Sequence, residues 1–247
     1  MNVQFFSLLR AYEIKCKLFT PDTPQVDHLV LGVHGFAGDK ESSMLEKLAT
    51  QCTSEGGALL CFDFPAHGHS PVREDMLTAH NCKQDLLAVF RHGEQLYPNA
   101  KKSVFATSFG GYITLLCAHE LPACPLILRA PAVTMPNLLL KNVLRTTEEH
   151  FRQVGVIRCG FERPIHLPFS ALEDLREQED LMAKALDRQA LIIHGDRDDI
   201  VPIEDIRQFV SCHHTATLEI IPGADHRFKK PGEMEQILSL TAGFLKG

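Results

Sequence analysis

Residues 102–118 read Lys102-Ser-Val-Phe-Ala-Thr-Ser108-Phe-Gly-Gly-Tyr-Ile-Thr-Leu-Leu-Cys-Ala118. Lys102 to Ala106 has the makings of a buried strand, and from Phe109 to Leu121 the pattern is helical. Ser108 falls on the junction. A serine on a tight strand-to-helix turn has its hydroxyl pushed clear of the backbone, and such a turn needs small residues two positions before and after it. Ala106 and Gly110 meet that need. The N–H of Phe109 then stands at a helix N-terminus, where the positive dipole end suits an anionic tetrahedral species. The junction sets two expectations: strands alternate with helices along this chain, and Ser108 is a nucleophile.

The alternation extends in both directions. Val3–Leu9 and Tyr12–Phe19 alternate like two antiparallel strands. His28–Val33, Ala58–Phe62, Pro125–Leu128, Ala190–His194 and Thr217–Ile221 are short, nearly continuous apolar runs. Such runs mark strands buried on both faces. Helical patterns cover Glu41–Cys52, Asn81–Tyr97, Ile203–Val210 and Met234–Leu245. This is the signature of an α/β fold: a mostly parallel central sheet of about eight strands with helices on both faces. Ligands in such sheets bind at the carboxyl ends of the strands. The rhythm breaks only at residues 132–187, where Met135–Leu144 is apolar, Val154–Ile157 and Pro164–Phe169 could be short strands, and Ser170–Leu186 is helical. The expected organisation is a single domain over residues 1–247, with 132–187 inserted as a lid over the sheet's active edge.

A serine hydroxyl is a weak nucleophile. It needs a base, and the base needs an orienting acid. Two loops at strand ends carry them. One is Gly195-Asp-Arg-Asp198-Asp-Ile-Val201-Pro202, in which Asp196, Asp198 and Asp199 compete as the acid. The other is Pro222-Gly-Ala-Asp-His226, whose histidine follows the last strand. The order Ser, Asp, His is that of one hydrolase architecture. A third loop, His34-Gly-Phe36-Ala-Gly38, turns inward after the strand ending at Val33, and its Phe36 N–H is the candidate second oxyanion donor. His34 and His194 each end a strand before a glycine and read as caps of their turns, with His34 a further candidate for substrate contact. The lid residues Met135 and Leu138 are candidate walls of an acyl pocket.

Composition narrows the field. The 247 residues are 45% hydrophobic and 23% charged, with a net charge of −6. That is the balance of a globular protein with a large core, and a poor one for a nucleic-acid binder. No apolar run is long enough for a membrane span, and no basic leader or small-residue cleavage site opens the sequence. The eight scattered cysteines form no C-x-x-C pair and read as buried, reduced thiols of a cytoplasmic protein. Cys212-His213-His214 has no partner pair at ligand spacing, so no metal is expected. The acidic run Glu173, Asp174, Glu177, Glu179 and Asp180 reads as a solvated helix face.

These residues resemble the α/β-hydrolase family over nearly the whole chain. The likeness lies in five motifs in the family's order: His34 to Gly38 as H-G-x-x-G; Asp63-Phe-Pro-Ala-His67-Gly68-His69-Ser70 as most of D-x-x-G-H-G-x-S; Ser108 and Gly110 as the nucleophile elbow; His194, Gly195, Asp198, Val201 and Pro202 as the acid loop; and Gly223, Ala224 and His226 as the histidine loop. The resemblance places the acid at Asp198. It implies a serine hydrolase most similar to small bacterial carboxylesterases, including the cinnamoyl and feruloyl esterase group. Such an enzyme would act on a small-molecule ester through an acyl-enzyme, without cofactor or metal. Thioesterase, acyltransferase or small-peptidase activity would use the same groups, and a non-catalytic binding protein on this fold is the remaining alternative. Two family glycines are alanines here, Ala66 and Ala106, which implies slightly adjusted turns. Oligomeric state has no signature in the sequence.

Overall fold

The structure, a computed structural model, describes residues 1–160, 164–182, 186 and 188–246. The expected alternation is present. Strands β1 (Asn2–Leu9), β2 (Glu13–Thr20), β3 (His28–Val33), β4 (Ala58–Phe62), β5 (Lys101–Thr107), β6 (Leu126–Arg129), β9 (Ala190–Gly195) and β10 (Ala216–Ile221) form one sheet in the order β1-β2-β4-β3-β5-β6-β9-β10. β1 and β2 pair antiparallel, and β2 joins β4 antiparallel. Every other pairing in this sheet is parallel, so β3, β4, β5, β6, β9 and β10 send their carboxyl ends to one edge.

Alternate residues of the inner strands feed two cores. In β5, Val104 and Ala106 join the larger core while Phe105 joins the smaller. The larger core holds α2 (Ala79–Leu96) and α3 (Phe109–Cys117); the smaller holds α1 (Ser43–Ser54) and residues of α9 (Glu233–Lys246). Leu115, Leu116 and Leu128 are fully buried, and each such side chain contributes roughly 1.5–3 kcal/mol of burial. The Thr78 hydroxyl caps α2 by accepting the Asn81 N–H at 3.1 Å. Asp85 in α2 accepts from Arg10 Nε at 2.7 Å and from the Tyr12 hydroxyl at 2.8 Å, fixing the N-terminal hairpin to the body.

Between β6 and β9 the chain leaves the sheet. It forms α4 (Met135–Leu138), a π-helical turn over Leu139–Leu144, α5 (Glu148–Val154), an antiparallel pair of strands β7 (Val156–Cys159) and β8 (Ile165–Pro168), α6 (Ser170–Glu177) and α7 (Glu179–Met182). The helix expected over Ser170–Leu186 is therefore broken at Gln178; residues 183–185 of that expectation, and residue 187 at the end of the expected insertion, lie outside the described residues. Glu173, Glu177 and Asp180 are exposed, as a solvated face should be, whereas Asp174 turns inward and accepts the Ala79 N–H at 2.6 Å. The side chain of Glu179 is outside the description. All eight cysteines are free; seven are buried and Cys212 is exposed. Among the described residues, no helix is long and apolar enough to cross a membrane.

Candidate active site

The site begins where β5 becomes α3. Ser108 occupies φ 51° and ψ −114°, a region costing a non-glycine residue about 1–3 kcal/mol. Two main-chain contacts hold it there: its N–H donates to the Arg129 carbonyl at 2.9 Å, and its carbonyl accepts from Ala132 N–H at 3.1 Å. The close approach of α3 to the β3 loop explains the glycine two residues on. A Cβ at Gly110 would lie 2.3 Å from the His34 carbonyl oxygen.

The loops after β9 and β10 reach this turn. His226 Nε2 lies 3.0 Å from Ser108 Oγ, and its Nδ1 lies 2.7 Å from Asp198 Oδ2. A carboxylate only accepts, so Nδ1 carries the proton and Nε2 is left to accept from the serine hydroxyl. The Asp198 side chain is fully buried. Its other oxygen accepts the N–H groups of Ile200 and Val201 at 2.9 and 2.8 Å. Burial alone would raise the Asp198 carboxyl, but the bond from His226, the charge of that ring and the Val201 N–H together hold it below the ordinary carboxylate value. The competing carboxylates are engaged elsewhere or exposed: Asp196 accepts the Gly223 N–H at 2.5 Å, and Asp199 faces solvent. His194 Nε2 donates to the Val201 carbonyl at 2.9 Å, bracing the acid loop as a cap.

The loop after β3 lies against the serine turn. The Phe36 and Phe109 rings meet edge to face at 5.9 Å. His34 is buried, with Nδ1 donating to the Gly35 carbonyl at 2.8 Å and Nε2 accepting the Phe64 N–H at 3.2 Å. Burial lowers its pKa, so the ring stays neutral and both nitrogens are spent on bracing the loop. The loop is also tied to the one after β4. Asp63 accepts from Lys40 N–H and Nζ, each at 2.8 Å, and from His69 N–H at 2.7 Å. Ala66 keeps φ 62°, the left-handed conformation for which the family pattern uses glycine.

A narrow cleft opens beside Phe36 and Phe109, walled by Leu77, Ala79, Met135, Leu139, Leu167, Ala171 and Leu175, with Asp174 the one charged lining residue among the described residues. Of the two lid residues expected to line a pocket, Met135 does so. Leu138 is buried, and its neighbour Leu139 takes the wall position instead. The walls from residues 77–79 and from α6 carry no signal in the sequence, since they are ordinary apolar residues from distant segments. Asp174 had the acidic run as its signal, but as a solvated residue. Among the described residues, no group of three His, Cys, Asp or Glu stands where it could hold a metal.

The sheet order and the loops gathered along its carboxyl edge define the chain as an α/β-hydrolase. It belongs to the family described as serine aminopeptidase, S33, whose model matches residues 24–184. Solved structures share the fold at low identity. Est1E from Butyrivibrio proteoclasticus with ferulic acid bound is 22% identical, with a TM-score of 0.80, covering 96% of this chain and 97% of that one. A putative hydrolase from Agrobacterium vitis S4 is 18% identical, with a TM-score of 0.81 and 98% of both chains covered. The esterase domain of a Rhodothermus marinus protein is 20% identical, with a TM-score of 0.75, covering 99% of this chain and 98% of that one.

Proposed function

We propose that this protein hydrolyses carboxylic esters of small molecules through an acyl-enzyme. The observation that carries the reading is the continuous hydrogen-bonded chain from Ser108 Oγ through His226 to the buried Asp198. Ser108 attacks the ester carbonyl as His226 takes its proton, and Asp198 holds the ring tautomer and stabilises the imidazolium. The N–H groups of Phe36 and Phe109 receive the developing oxyanion, each worth about 3 kcal/mol. His226 returns the proton to the leaving alcohol, then activates a water that releases the acid. No cofactor enters these steps.

Residues 132–187 serve as the lid of this single domain, and the cavity beneath takes the acyl group. Its aromatic and aliphatic walls suit an uncharged acyl group. Eight free thiols suit a reducing, cytoplasmic setting. The family's description makes peptide-bond hydrolysis the second reading, with the same three residues in the same roles.

Hydrolysis of 4-nitrophenyl esters from acetate to octanoate, with Ser108→Ala as control, tests the proposal. Turnover lost in the variant supports it, and the chain-length profile sizes the cavity. No turnover with any ester, together with cleavage of aminoacyl-4-nitroanilides, would replace it with the peptidase reading.

A further inference from the structure

Arg129, the last residue of β6, is 8% exposed and belongs to none of the motifs. Its two ends reach the two halves of the site. Its carbonyl accepts the Ser108 N–H at 2.9 Å. Its Nη2 donates to the carbonyl of Arg227, the residue after His226, at 2.8 Å. The guanidinium also lies over the Phe228 ring, 4.7 Å from its centroid, and Phe228 is buried at φ 52°. One residue thus spans the serine turn and the histidine loop.

The choice of arginine here needs a reason. Its Nε is buried without a hydrogen-bond partner, and among the described residues it makes no ion pair within 4 Å. Burial accordingly pushes the guanidinium down to about 10, against the upward pull of Asp198 and Asp225. An aliphatic side chain would fill the space without that desolvation. What it would not supply is a planar donor for the Arg227 carbonyl, a flat cation for Phe228, and a positive charge near Asp198 and Asp225. We propose that Arg129 is a positioning residue that sets the distance between Ser108 and His226, its main chain holding the serine turn and its side chain holding the histidine loop. The inference rests on the reading of Ser108 and His226 as the reacting pair.

The test is the far-downfield proton resonance of the His226 Nδ1–H, assigned by its loss in His226→Ala, compared at one pH in wild type, Arg129→Gln and Arg129→Lys. Gln keeps a donor and removes the charge; Lys keeps the charge and removes the planar fork. In either variant the resonance should shift and broaden, and kcat should fall about tenfold with KM unchanged. A folded Arg129→Gln with wild-type resonance and kcat would overturn the proposal. If that variant does not fold, Arg129→Lys with wild-type kcat would overturn it instead. The resonance needs no substrate, so absence of ester turnover in wild type would sink the ester reading and leave this one to be judged on the spectrum.

Discussion

Ser108 and His226 are 118 residues apart in the chain and 3.0 Å apart in space. On the proposed mechanism the pair acts as one unit, so its members should not contribute additively. Ser108→Ala and His226→Ala should each reduce kcat by about 10⁴-fold or more, and the double variant should be no slower than either. Steady-state rates of the three variants check this; a double variant slower by the product of the two would show that the residues act separately.

Asp198 makes the acid sensitivity of the site explicit. Its carboxyl sits below the ordinary value in the folded chain, because the His226 and Val201 bonds outweigh burial. A lowered folded value means that its contribution to stability is complete above the unfolded carboxylate value and is lost as pH falls through the folded one. Asp198→Asn should flatten that part of the acid-unfolding curve and cost about 10³–10⁴-fold in kcat near neutral pH. Unfolding midpoints from pH 2 to 7, measured beside the rates, separate the two effects.

Asp174 should discriminate among acyl groups. It is the one charged residue lining the cavity among the described residues, and burial raises its pKa, countered in part by the Ala79 N–H. Its charge therefore grows as pH rises through that raised value. A neutral butyrate ester should be favoured over the anionic hemisuccinate by about 10–100-fold in kcat/KM, more at higher pH, and Asp174→Asn should narrow the gap. Equal ratios in wild type and variant would place the acyl group elsewhere.

Ala66 and Gly68 make opposite backbone tests in one turn. Ala66 holds φ 62°, so Ala66→Gly should stabilise the fold by about 0.5–1 kcal/mol. Gly68 has φ 51°, and a Cβ there would lie 2.2 Å from the Asp63 carboxyl, so Gly68→Ala should destabilise by about 3 kcal/mol. Urea unfolding of both variants gives the signs.

The thiols supply a compactness test. Burial pushes Cys16 and Cys52 up to about 12 and Cys124 and Cys159 to about 11, whereas Cys212 is exposed. A disulfide reagent at pH 8 should titrate one thiol in the native protein and eight in denaturant. Two or more fast native thiols would mean that the cores open readily.

The positions facing the sheet's carboxyl edge were legible because each carries a local constraint. Ser108 needs small neighbours, the acid loop needs an aspartate that can gather the Ile200 and Val201 N–H groups, and the strands need unbroken apolar runs. The walls of the cavity have no such constraint. Leu138-Leu139-Leu140 gives no helical phase, so the sequence does not say which leucine faces the cavity, and the π-helical turn beginning at Leu139 shifts the register further. The acidic residues near it, Glu173 and Glu177, are exposed, and the arrival of Ala79 from 95 residues away turns Asp174 inward. Arg129 was hidden for a related reason, since its partners come from the backbone of a distant loop.

The order of strands has a kinetic meaning. Asp198 and His226 hang from β9 and β10, and among the described residues β10 is an outer strand paired with β9 alone. Edge strands fray at lower free energy than central ones. Peeling of β10 would carry His226 away from Ser108 while the six strands from β1 to β6 stay paired. Heat or denaturant should thus silence the enzyme before it melts the sheet, and reactivity becomes a gauge of whether that outer margin is closed.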